Sequence, residues 1–95
     1  MPNIQEISNC VHLVAEEYPI KQCELFGSYA ENRARPDSDV DLLIEFAYPS
    51  VSLLTLNSVK YRLEELLRTE VDVLHAPLPE NSMIEIGRRI PVYGA

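Results

Sequence analysis

Basic residues are scarce in this chain: eight lysines and arginines stand against fifteen aspartates and glutamates, for a net charge of −7. A protein that holds nucleic acid through its phosphate backbone needs a basic surface, so direct binding to DNA or RNA is not expected. A nucleotide remains admissible, because a bound metal inverts the local field, and a basic protein partner suits the charge better than DNA. Long apolar runs are also missing. None approaches the ~20 residues that a membrane-spanning helix needs, so no membrane partner is expected. Cysteine is limited to Cys10 and Cys23. Two are too few for a disulfide scaffold and have no zinc-ligand spacing, so both read as small core residues. Gln5 and Glu6 follow Ile4 at once, a pattern unlike a signal peptide, and the expected location is cytoplasmic. Repeats, linkers and low-complexity segments are absent as well. Residues 1–95 therefore read as a single domain, near the small end of what buries its own core.

What remains is an ordinary globular composition, 46% hydrophobic and 24% charged. Ile4, Ile7, Val11, Val14 and Tyr18 recur at helical steps until Pro19 stops them. His12 lies among them with no other candidate ligand nearby, and reads as a surface side chain. Cys23 to Phe26 reads as a short strand, and Tyr29 to Ala34 as a helical segment. Arg35-Pro36-Asp37-Ser38 is a turn by composition. In the strand that follows, Asp39, Asp41, Leu43 and Glu45 share one face while Val40, Leu42, Ile44 and Phe46 share the other. The second, wholly apolar face must pack against helices. Ser52 is placed to cap a helix carrying Leu53, Leu56, Val59, Leu63 and Leu66 or Leu67. Val71-Asp72-Val73-Leu74 reads as a third strand, Glu80 to Arg89 as a last helix containing Met83, and Pro91 to Tyr93 as a short extended piece. Arg88 and Arg89 would complement the end of that helix or face an acidic partner.

The chemistry concentrates between Gly27 and Asp41. A Gly-Ser pair follows an apolar strand, and Asp39 and Asp41 put two carboxylates on one side of the next. Two anions held so close repel unless a cation sits between them, and a hard divalent ion such as Mg2+ meets that demand with carboxylates and phosphate oxygens. Gly27 lets backbone approach a phosphate, and Ser28 adds a hydroxyl donor. The plainer reading is that Gly27 is only a turn and Ser28 only a helix cap. Ser38 is a weaker nucleotide-binding candidate, more often a cap at the start of a strand. Asp72 stands between two valines, where a carboxylate is costly to bury unless paired, hydrogen-bonded or metal-bound. Its plainer reading is an aspartate at an exposed strand edge.

Gly27-Ser28, followed eleven residues after the serine by Asp39-Val40-Asp41, resembles the signature of the DNA polymerase β-like nucleotidyltransferase superfamily. The longer stretch, G-S-Y-A through A-R-P-D-S-D-V-D-L-L, is similar to its smallest members, the minimal nucleotidyltransferases encoded as antitoxins beside HEPN-domain toxins. The resemblance implies an α/β fold with a small mixed sheet and flanking helices. It also implies Mg2+ as cofactor, ATP as substrate, and a third acidic residue from a later strand serving as metal ligand and base. Asp72 is the matching position, completing a catalytic and metal-binding set of Asp39, Asp41 and Asp72. The implied reaction transfers AMP to a tyrosine of a HEPN ribonuclease toxin, and the toxin, as partner, would complete the acceptor pocket. A homo- or hetero-oligomer is admissible. Such antitoxins frequently read G-S-Y-A-R-G, whereas this chain has Glu31 and Asn32 at the last two positions, bringing a negative charge near the phosphate approach. The alternatives are an antitoxin that neutralises by binding alone and a free enzyme acting on a small molecule.

Overall fold

The structure is a computed structural model that describes residues 2–76 and 87–94. Helix α1 (Ile4–Ala15) begins where the Asn3 side chain accepts a hydrogen bond from the Glu6 amide, satisfying a donor that the first turn would leave unpaired. Strand β1 (Ile20–Phe26) runs into one helical turn, α2 (Gly27–Ala30), and then into β2 (Val40–Phe46). Helix α3 (Leu53–Leu67) is capped by Ser52, whose hydroxyl accepts from the Thr55 amide as expected. Strands β3 (Val71–Ala76) and β4 (Ile90–Tyr93) complete a four-stranded sheet in the order β3-β2-β1-β4. β1 pairs antiparallel with β2 and β4, and β2 pairs parallel with β3, so the sheet is mixed.

The parity expected of β2 holds. Val40, Leu42 and Ile44 are fully buried and Phe46 nearly so, in one cluster with Ile7, Val11 and Val14 of α1 and Val59, Leu63 and Leu67 of α3. Cys23 lies in that cluster and Cys10 packs against it. Removing the Leu63 side chain leaves a cavity among these residues. Leu63→Ala is expected to cost about 2–5 kcal/mol, read from urea melts.

Several boundaries differ from the sequence reading. α1 stops at Ala15, because backbone turns through Glu16, Glu17 and Tyr18 precede Pro19. β1 begins at Ile20, buried ahead of an irregularity that lets Lys21 project outward. The segment from Tyr29 to Ala34 is helical only as far as Ala30, since Asn32 takes a left-handed conformation (φ 58°) that no helix continues through. Leu53 is 72% exposed, the apolar side of α3 being carried by Val59, Leu63 and Leu67. The extended piece at Pro91 to Tyr93 is β4. Met83 and most of the helix expected from Glu80 lie outside the described residues. Arg89 pairs with Glu24 of β1 at 3.6 Å.

Candidate active site: a carboxylate cluster beside a glycine turn

One line of register positions crosses three strands. Phe26, the last residue of β1, faces Asp41 on β2, and Asp41 faces Asp72 on β3. In a parallel pair, residues in register point to the same side, so the aspartates stand next to each other across a strand spacing of about 4.8 Å. Gly27 comes directly after Phe26 and has φ +73°, a conformation that L side chains rarely adopt. A Cβ there would collide with Oδ2 of Asp41. The glycine therefore does two things: it turns the chain, and it leaves the space that the Asp41 carboxylate occupies.

The carboxylates meet in two pairs. Burial, together with the charges of Asp72 and Asp39 and a hydrogen bond shared with Asp72, pushes the Asp41 carboxyl up to about 6. Beside it, the hydrogen bond and charge of Asp39 raise Glu70, with smaller contributions from burial, Glu64 and Asp72. Continuing the β2–β3 register back past Val40 and Val71 sets Asp39 beside Glu70, and the Val40 amide donates to the Glu70 carbonyl at 2.9 Å. The site is thus four acids at the starts of two parallel strands, Asp-x-Asp facing Glu-x-Asp. Sequence reasoning missed Glu70, although its spacing to Asp72 repeats that of Asp39 to Asp41.

The other sequence candidates fare differently. Ser28 sits in α2, half-buried, immediately after Gly27. Ser38 is occupied in the turn before β2, its hydroxyl accepting from the Arg35 amide at 2.8 Å. Glu31, the departure from the arginine of related motifs, forms an ion pair with Arg33 at 3.0 Å, which offsets its charge. His12 is exposed and its ring meets the backbone carbonyl of Ser8, in keeping with a surface role.

A divalent cation suits this donor set. The acids supply hard oxygen ligands only, and Asp41 stands in register beside Asp72, where two ionised carboxylates repel unless a cation or a proton lies between them. The glycine cradle keeps the Asp41 oxygen from being displaced. Among the described residues, no three such side chains are yet gathered at metal-ligand geometry. The pairing is two by two, Asp41 with Asp72 and Asp39 with Glu70.

The raised Asp41 carboxyl has a consequence for the metal-free protein. An acid titrating higher in the fold than its ordinary 3.8 contributes stability that is complete below 3.8 and lost as pH rises through about 6. Asp41→Asn removes that loss. In thermal melts with EDTA the variant is expected to exceed the parent protein at pH 7.5 and to match it near pH 4. Two pK units would correspond to ~3 kcal/mol, and the solvent around a partly exposed group reduces the gain to about 1 kcal/mol.

Comparisons with known proteins identify the kind of domain. A family profile described as "Nucleotidyltransferase domain" matches residues 7–91. A chain of Methanocaldococcus jannaschii carrying the name "Putative protein adenylyltransferase" is 44% identical over 72 residues, 76% of each chain. Among solved structures, a toxin–antitoxin crystal structure with AMP-PNP superposes with a TM-score of 0.77 at 16% identity, covering 93% of this chain and 73% of that one. A complex of a tri-AMPylated Shewanella oneidensis HEPN toxin with its MNT antitoxin gives a TM-score of 0.70 at 16% identity, over 95% of this chain and 71% of that one. At these identities the two structures attest the fold.

Proposed function

The chain belongs to the nucleotidyltransferase domain family and is a nucleotidyltransferase; on that footing we propose that it is an antitoxin transferring AMP from ATP to a tyrosine hydroxyl of a HEPN-type toxin. In this reading residues 1–95 act as one domain, work in the cytoplasm, and rely on the toxin to supply the acceptor side of the site. The observation that carries it is the alignment of Asp41 with Asp72 beside the Gly27 turn.

Gly27 and Ser28 hold the triphosphate, with Ser38 shaping the turn next to it. Asp39, Asp41 and Asp72 are the residues that would hold Mg2+. When bound, the ion supplies Lewis-acid chemistry, making the acceptor hydroxyl more acidic and offsetting charge on the departing pyrophosphate. Asp72, the most exposed of the three aspartates, takes the hydroxyl proton. The freed oxygen bonds to the α-phosphorus, and the bond from that phosphorus to pyrophosphate breaks. Products are an AMP-tyrosine and pyrophosphate.

Incubating the chain with a HEPN partner, Mg2+ and ATP labelled at the α-phosphate tests the reading. Label on a partner tyrosine is the expected result. Tight association with no label would overturn it in favour of an antitoxin that works by binding alone.

A further inference from the structure

The four acids do not stand alone. Where α3 meets the start of β3, a cleft of about 540 Å³ opens, lined by Asp72 and Glu70 on one side and by Lys60, Glu64 and Arg68 on the other. Lys60, Glu64 and Arg68 are four residues apart along α3 and so share one face of it. Glu64 is engaged, accepting from the Val71 amide at 3.0 Å, which ties the helix to the strand. The two cations are not: among the described residues neither makes an ion pair. Lys60 lies over the Tyr61 ring, 6.0 Å from its centroid, and in a chain with eight basic residues two with no ion pair among the described residues, beside an acidic site, stand out.

Arg68 is also held in an unfavourable backbone conformation. It caps the C-terminus of α3 with φ 55° and ψ 39°, the left-handed region where glycine is the usual residue. Gly27 lies at the end of β1, next to β2, whereas the Lys60–Arg68 cleft is built from α3 and the start of β3, two strands along in the sheet order, and shares Glu70 and Asp72 with the acidic site.

We infer that Lys60 and Arg68 bind an acidic stretch of the acceptor protein and bring its hydroxyl to Asp72. The inference rests on the AMP-transfer reading and adds the class of substrate: a hydroxyl-bearing segment with carboxylates nearby. With the triphosphate held at Gly27 and Ser28, as proposed above, nucleotide binding does not depend on these two cations.

Transfer of label from ATP to the partner, with each substrate varied in turn, tests this. Arg68→Gly is expected to melt no lower than the parent protein, since glycine relieves the left-handed cap, yet to raise KM for the partner about fivefold. Arg68→Lys keeps most of the affinity. Lys60→Glu with Arg68→Glu raises KM for the partner by about thirtyfold or more and abolishes its increase with salt, while KM for ATP stays within about twofold. An unchanged partner KM in the double variant overturns the inference, as does a rise in the ATP KM instead. If the parent protein labels no partner at all, the AMP-transfer reading has failed and this inference falls with it; if the parent labels normally and only the reversal is silent, the inference alone has failed.

Discussion

Replacing Asp41 by asparagine is expected to lower nucleotidyl transfer on the order of 10³-fold or more while leaving the protein folded. Asp41 is the acid that links the glycine turn to the other two aspartates. It faces Phe26 and Asp72 in register, feels the charges of Asp72 and Asp39, and fills the space left by Gly27. Asparagine keeps the shape and removes the charge. Cation binding at such a site is worth several kcal/mol of transition-state stabilisation, and ~4 kcal/mol corresponds to ~10³ in rate. The same substitution relieves repulsion between carboxylates, so the inactive variant should be the more heat-stable one without metal at neutral pH. A variant that loses activity by unfolding would show the opposite. Single-turnover transfer with labelled ATP and melts in EDTA, taken on the same preparation, separate the two.

Gly27→Ala should come close to that loss of activity and destabilise the fold as well. Two costs add. The φ of +73° is strained for any residue with a side chain, and the new Cβ would overlap Oδ2 of Asp41, so either the turn or the carboxylate must move. Expected are a stability loss of about 1–2 kcal/mol in urea melts and a fall in transfer of about 10²-fold or more at a temperature where the variant is folded. Gly94 provides the control. It too has a positive φ, +72°, and a Cβ there would press on the backbone oxygen of Lys21, far in the chain from any acid of the site. Gly94→Ala should destabilise comparably, with transfer per folded molecule kept. Equal losses of transfer in the two variants would mean that Gly27 serves only as a turn.

The parts of this site that were legible in sequence are those governed by strand periodicity. Asp39 and Asp41 fall on one face because side chains alternate, and Asp72 stands out because a carboxylate between valines needs a reason. Glu70 was legible by the same alternation, but it sits just before the strand, where residues read as loop. The pairing of Asp39 with Glu70 becomes visible only once β2 and β3 are known to be parallel and in register. Apolar spacing found α1 and α3 but overestimated α2, because nothing apolar marks the left-handed turn at Asn32. It likewise gave no sign of Arg68, whose interest lies in its backbone angle and in a cleft assembled from residues on two elements. Local periodicity reports which way a side chain points. Which neighbour it meets is decided by the sheet.

Anomalous diffraction from Mn2+ in crystals grown with a non-hydrolysable ATP analogue tests the convergence of the three aspartates most directly. The account predicts manganese bound by Asp39 and Asp41, with an oxygen of Asp72 at a ligand distance of about 2.0–2.2 Å and the phosphates against Gly27 and Ser28. Manganese bound elsewhere, or Asp72 turned away with its carboxylate beyond reach of the ion, would contradict it.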